Sequence, residues 1–143
     1  MTTRVTYVLD LFRGDEQEPL SEKALKLMLA GLMLIDEEEI RQFPGLPPLY
    51  KSGVRYQEQV GREDWQDALT TYKLQAGDCK CLACWRAAEL RVRQNVDARP
   101  MFTFRRANDG PSVPPDRRRY LFHIVVLLPD GTIEDPSKVL GMR

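Results

Sequence analysis

A cysteine, the only histidine of the protein and an aspartate have the residue types that nucleophilic catalysis requires. Cys79 follows Gly77-Asp78 and opens a stretch of good helix formers without glycine or proline until Pro100. Backbone N–H groups in the first turn of a helix lack partners within the helix, so they can stabilise a thiolate there. Cys79 is therefore a candidate nucleophile.

The histidine and the aspartate are brought together by a predicted hairpin. Residues 120 to 128 are aromatic and aliphatic almost throughout, which predicts a strand buried on both faces. Pro129-Asp130-Gly131 suits a three-residue loop with a bulge. Such a loop pairs Val125 with Asp135, so that Asp135 becomes a diagonal neighbour of His123, with Cα atoms about 7–8 Å apart. A two-residue loop would put Asp135 on the other face.

These three residues supply a thiol, a base that deprotonates it and a carboxylate that orients the base. A catalytic site of this kind also stabilises the oxyanion that forms on the substrate. The backbone N–H of Cys79 is one candidate donor. The second donor is predicted to come from Gln75, Tyr72 or Trp65, among which the sequence does not choose.

Each residue also has an ordinary structural explanation. Cys79 could be a buried structural thiol, His123 a satisfied strand histidine and Asp135 a strand terminator, and only their joint placement favours a site. Cys81 and Cys84 are expected to be core thiols. Three cysteines and one histidine match the ligand number of zinc. On a helix, Cys81 and Cys84 lie about 200° and 140° around the axis from Cys79. The three thiols therefore cannot easily converge on one ion, and no metal is predicted.

The residues before the candidate nucleophile divide into two predicted parts. Ser21 is a plausible cap for a first amphipathic helix, and Asp36 with Glu39 has the capping-box spacing of a second, short acidic helix. Pro44 ends it. The rigid connector 45–48 then separates an N-terminal helical subregion, residues 1–48, from a core, residues 49–143.

Composition restricts the classes of partner. The 143 residues fit one domain, and 21 basic residues balance 21 acidic ones, so no bulk charge favours nucleic acid or an acidic membrane. No membrane-spanning run or signal peptide is visible, and clustered cysteines favour a reducing compartment. One basic concentration flanks a loop and reads as a solvated rim or a partner contact: Arg105, Arg106, Arg117, Arg118 and Arg119.

The predicted elements together indicate an α+β protein. The helix that starts at Cys79 carries apolar residues on more than one face, so it is expected to be buried at the centre of the molecule. It should end near Asn95, a residue suited to a left-handed cap. A strand is expected from Ala98 to Arg106, and with the hairpin it forms an antiparallel sheet against the helix.

Several motifs resemble the transglutaminase-like branch of the papain-like cysteine fold. They are Gly77-Asp78-Cys79 opening a helix, His123-Ile124-Val125-Val126 on a strand and Asp135-Pro136-Ser137 after a hairpin. Residues 49–56, 79–90 and 130–137 together resemble small transglutaminase-like proteins of tailed bacteriophages.

The resemblance covers roughly residues 50–143 and has several implications. It implies thiol chemistry on an amide or ester without a cofactor, acting on a protein or peptide. It also implies a place in the bacterial host cytoplasm or on the virion, where other phage virion proteins are possible partners. The family also contains members that bind rather than catalyse, so a virion or tail-associated structural role is the alternative.

Overall fold

The computed structural model describes residues 3–6, 17–61, 64–106, 110–112 and 120–143. Within them the chain is mixed α+β, with four α-helices, one 3-10 turn and two small sheets, as the predicted class requires. In chain order the elements are α1 (Gln17–Gln42), the 3-10 turn Leu49–Lys51, β1 (Arg55–Tyr56), α2 (Ala68–Leu74), β2 (Ala76–Gly77), α3 (Cys79–Gln94), β3 (Arg99–Arg106), β4 (Tyr120–Leu127), β5 (Ile133–Glu134) and α4 (Pro136–Val139).

Helix α3 forms the centre of the core, as predicted. It begins where the Asp78 side chain accepts a hydrogen bond from the Cys81 N–H, at 3.3 Å. It ends at Asn95, whose φ of 53° is the left-handed conformation expected of that cap. Trp85 and most of the helix are buried against α1 on one side and β4 on another. Burial on several faces follows from apolar residues on several faces.

The larger sheet is antiparallel, in the order β3-β4-β5. Val126 pairs with Glu134 and the Leu128 N–H donates to the Thr132 carbonyl at 2.9 Å, which confirms the predicted loop length and register. Gly131 supplies the positive φ, 86°, that the loop needs. Residues 124–126 are buried in succession, hence on both faces, but Phe122 is 60% exposed. Burial along the whole strand was therefore wrong at its N-terminal end.

The second sheet pairs β1 with β2 in parallel, with Tyr56 opposite Gly77. A Cβ atom on Gly77 would lie 2.9 Å from the Thr71 Cγ2 atom, closer than side chains normally approach. A glycine is therefore needed at this position, where the chain passes between α2 and α3. This pairing fixes the path of the chain immediately before Cys79.

Residues 17–42, the part of the predicted helical subregion that the structure shows as helix, form the single helix α1, where two helices were predicted. Asp36 does not start a second helix: it lies inside α1, fully buried, and its Oδ1 accepts the Ala68 N–H of α2 at 2.7 Å. Glu39 accepts the Leu69 N–H at 3.0 Å. Both residues of the apparent capping box thus satisfy the N-terminal donors of a different helix, α2.

The apolar face of α1 packs on α3. Leu29, Leu32 and Met33 belong to the same hydrophobic cluster as Leu82 and Trp85. The division into residues 1–48 and 49–143 stays a prediction. Among the helices in the described part of the chain, none is both long and apolar enough to cross a bilayer.

The contact between α1 and α2 should make stability depend on pH. Burial, followed by the hydrogen bond to Asp67, raises the pKa of Glu39 to about 8. The folded state then holds a proton that the unfolded chain releases. The contribution of Glu39 to the free energy of unfolding is therefore complete below about pH 4.5 and is lost as pH rises through 8. Glu39→Gln should keep the hydrogen bonds with Asp67 and with the Leu69 N–H but carries no charge. It should therefore raise the melting temperature at pH 9 by roughly 2–5 °C.

Thermal unfolding followed by circular dichroism between pH 5 and 9 measures this effect. Glu38→Gln removes a carboxylate from the exposed face of the same helix and serves as the control. A Glu39→Gln protein whose melting temperature falls between pH 6 and 9 as steeply as that of the wild type would contradict the assignment.

Candidate functional site

The predicted partnership of His123 and Asp135 is present as a direct hydrogen bond. Nε2 of His123 lies 2.8 Å from Oδ2 of Asp135, and both side chains are partly buried. The hairpin register brings them together, because it places Asp135 just past the end of β5, diagonally across from His123 on β4. When Nε2 carries the ring proton and donates it to the carboxylate, Nδ1 is left unprotonated and can accept a proton.

Asp135 has a second role. Its Oδ1 accepts the Lys138 N–H at 3.3 Å, so the same carboxylate that orients His123 also caps α4. Its neighbour Glu134 is fixed from α3, where Arg86 Nε donates to both carboxylate oxygens at 3.2 and 3.1 Å. The Tyr50 hydroxyl also donates to Glu134, at 2.9 Å. Hydrogen bonds to the Glu134 side chain and to the Asp135 side chain therefore hold the end of β5 in place.

The edge of β4 provides the contact between the sheet and Cys79. Along one edge of an antiparallel strand every second N–H points outward, so Leu128, Val126 and Ile124 all direct theirs toward β5. β5 ends at Glu134, opposite Val126, which leaves the Ile124 N–H beyond its reach. That N–H donates to the Cys79 sulfur instead. The thiol consequently lies beside the residue that follows His123.

Burial raises the pKa of the Cys79 thiol. The Ile124 N–H, the Lys80 charge and the Lys80 N–H all act in the opposite direction, whereas the Asp78 charge raises it further. The helix start therefore does not produce a thiolate in the resting protein, because desolvation exceeds the effect of the donors. Chemistry at Cys79 requires a base that removes the proton during attack.

Two charged residues flank Cys79 in the sequence and form a buried ion pair. The Lys80 ammonium contacts the Asp78 carboxylate, lies 3.3 Å from Gln59 Oε1 and is 5.7 Å from the centroid of the Trp65 ring. Each charge is largely offset by the other at the position nearest the sulfur. Removing one of them would leave the other uncompensated beside Cys79.

The other two thiols lie elsewhere in the core. Cys81 Sγ is 4.0 Å from the Asp64 carbonyl, and Cys84 Sγ is 3.5 Å from the Leu29 carbonyl. Burial raises the pKa of Cys81 to about 12 and raises that of Cys84 strongly. In the described part of the chain, no three His, Cys, Asp or Glu side chains are arranged to hold a metal ion. The three thiols contact three different segments rather than one centre.

The three proposed oxyanion donors occupy different surroundings. Trp65 faces Lys80 and packs against the core. Tyr72 is 37% exposed and meets the ring of Trp85 edge-on, with centroids 6.5 Å apart. Gln75 donates its amide to the Tyr72 carbonyl at 2.7 Å. Their roles as donors stay predictions.

The predicted basic contact surface lies largely outside the described residues. Arg105 and Arg106 belong to β3, but only their backbone is described. Residues 117–119, which contribute the other three arginines, fall outside the described part of the chain. Their role as partner contacts stays a prediction.

Sequence reasoning missed Tyr56. Its hydroxyl lies within electrostatic range of Cys79, Asp78 and Asp135, which together with burial raise its pKa. β1 and β2 contain two residues each, too few for a periodic signal, and their parallel pairing joins segments about 20 residues apart. Composition near Tyr56 therefore gave no indication of this placement.

Neutralising Asp78 should make Cys79 more reactive. Asp78→Asn keeps a capping oxygen for α3 but removes the charge that raises the thiol pKa and leaves the Lys80 charge unbalanced. Alkylation of Cys79 by iodoacetamide at pH 8 should become roughly 3–10 times faster. The rate is measured by mass spectrometry of the peptide containing Cys79. Asp130→Asn, at the exposed hairpin loop, is the control, and an unchanged rate in Asp78→Asn would refute the prediction.

The capping role of Asp135 should be visible in the stability of its variants. Asp135→Ala removes the α4 cap as well as the partner of His123, and should lower the free energy of unfolding by about 1 kcal/mol. Asp135→Asn should keep most of the stability, because asparagine is also a good cap. Urea unfolding measures both. Equal stability of Asp135→Ala and wild type would show that the cap contributes nothing.

The chain has no match among the known proteins with which it was compared. No protein-family model, no curated protein and no solved structure matches it. The transglutaminase-like resemblance consequently rests on the three motifs of the sequence. What the described residues establish is a mixed α+β fold with a hydrogen bond between His123 and Asp135, and with the Cys79 sulfur against the N–H of Ile124, the residue after His123.

Proposed function

We propose that the protein is a cysteine hydrolase or acyltransferase of the transglutaminase-like type, encoded by a tailed bacteriophage, which acts on an amide or ester of a protein or peptide. One observation carries the proposal. The 2.8 Å hydrogen bond from His123 to Asp135 lies next to the Ile124 N–H that donates to the Cys79 sulfur. A papain-like core, with the nucleophile at the start of the central helix and the base on the sheet, accounts for this arrangement.

In the proposed reaction His123 Nδ1 takes the Cys79 proton as the sulfur attacks the substrate carbonyl carbon. A C–S bond forms and the carbonyl π electrons move to oxygen. When they return, the bond to the leaving nitrogen or oxygen breaks, and that atom takes the proton from His123. Water or an amine then attacks the thioester carbon and gives a proton to His123. A C–O or C–N bond forms, the C–S bond breaks, and His123 returns the proton to the Cys79 sulfur. Asp135 keeps the imidazole oriented and stabilises its protonated form.

The raised pKa of Cys79 is compatible with this sequence of steps. A thiol that is protonated at rest needs His123 as a general base rather than as a permanent ion-pair partner. Asp78 and Lys80 offset one another beside the sulfur, so neither fixes its protonation alone.

An activated ester tests the proposal directly. Wild-type protein mixed with p-nitrophenyl acetate should release a stoichiometric burst of nitrophenol and carry an acetyl group on Cys79. His123→Ala should slow the burst by about 10²–10⁴-fold because the general base is gone. Cys79→Ala should abolish it, whereas Cys81→Ala, which removes a buried thiol two residues away, should retain it. If Cys79 of the wild type is acetylated no faster than in the unfolded chain, the enzymatic proposal is wrong.

A virion or tail-associated structural role is the second candidate, favoured by one surface. Leu27, Leu34 and Ile35 lie on one side of α1 and are 74%, 56% and 52% exposed. An apolar helix face of this kind suits contact with another protein. Stoichiometric co-purification with phage particles, together with normal infectivity of a Cys79→Ser phage, would favour this role. Absence from purified particles would exclude it.

A further inference from the structure

Tyr56 is held at the junction of the segments that carry Cys79 and Asp135. Its backbone N–H donates to the Leu140 carbonyl, just after α4, at 2.9 Å. The next residue, Gln57, donates to the Gly77 carbonyl at 2.9 Å, two positions before Cys79. The Tyr56 side chain is partly buried and packs against the hydrophobic core. The position of Tyr56 is therefore set from both the nucleophile side and the carboxylate side of the site.

Carboxylates lie within electrostatic range of the Tyr56 hydroxyl. After burial, the groups that raise its pKa are Cys79, Glu58, Asp78 and Asp135. In these surroundings the phenol keeps its proton, so it can donate a hydrogen bond but not act as a base. An oxyanion forming beside the same groups would be repelled by the carboxylates unless a donor faced it.

We propose that the Tyr56 hydroxyl donates a hydrogen bond to the substrate carbonyl oxygen as Cys79 attacks, and that it completes the oxyanion site begun by the backbone N–H groups of the α3 start. This inference rests on the proposed function and names a further residue of the same site. The hydrogen bond strengthens as charge develops on that oxygen, and the phenol transfers no proton.

Tyr56 suits this role better than the three donors expected from the sequence. The ring of Tyr72 packs on Trp85, the Gln75 amide is engaged with the Tyr72 carbonyl, and Trp65 faces the Lys80 ammonium. The Tyr56 N–H is bound to the Leu140 carbonyl, just after the helix that Asp135 caps, and the next residue is bound to the Gly77 carbonyl, two positions before Cys79. Tyr72→Phe removes the Tyr72 hydroxyl from helix α2 and therefore tests this rival donor directly.

Two reactions of Cys79 separate an oxyanion donor from a structural residue. Acylation by p-nitrophenyl acetate passes through an oxyanion, whereas alkylation by iodoacetamide does not. Tyr56→Phe keeps the ring and the backbone bonds. It should slow acylation on the order of 100-fold while leaving the alkylation rate between pH 7 and 10 within about twofold of wild type. Tyr72→Phe tests the rival donor and should slow acylation far less than Tyr56→Phe does.

Each other outcome overturns the assignment. If Tyr56→Phe slows both reactions equally, Tyr56 positions the thiol and does not stabilise an oxyanion. If it slows neither, or if Tyr72→Phe alone slows acylation, the donor lies elsewhere. Failure of the proposed function itself has a different signature, because the wild type would then show no burst acylation of Cys79 at all.

Discussion

The early end of β5 is the constraint on which the candidate site depends. Because β5 pairs with β4 only at Val126 and Leu127, the Ile124 N–H remains available at the sheet edge, and the first residue of α3 takes it. A longer β5 would satisfy that N–H within the sheet and fill the place that Cys79 occupies. The same early end releases Asp135 from the strand, so that its carboxylate can turn to His123 and to the first turn of α4.

Carboxylates at helix starts organise the surroundings of the site. Asp78 caps α3 and Asp135 caps α4. The start of α2 is capped by its own N-cap residue, Asp67, and by Asp36 and Glu39 of α1. Each satisfies N–H groups that a helix leaves unpaired. The clustering has an electrostatic cost, because burial and like charges raise the pKa of Asp36 and Glu39. At the candidate site one of these caps, Asp78, offsets the charge of Lys80 next to the sulfur.

Burial acts on the site in two opposite ways. It removes the thiol from water and raises its pKa, which suppresses a free thiolate. It also strengthens every hydrogen bond that a reacting oxygen would receive, because the local dielectric is low. A thiol that is protonated at rest fits the proposed role of His123, which removes the proton only when a substrate is present.

The sequence by itself determined the local elements: the start of α3 at Cys79, its left-handed end at Asn95 and the loop register that joins His123 to Asp135. Capping chemistry, turn residues and the two-residue period of a strand act over few residues, so they can be read from a short stretch. Only the tertiary structure decided which helix Asp36 and Glu39 cap, the direction of the Cys79 pKa and the arrival of Tyr56 at the site. Those outcomes depend on burial and on contacts between segments far apart in the chain, which no local pattern encodes.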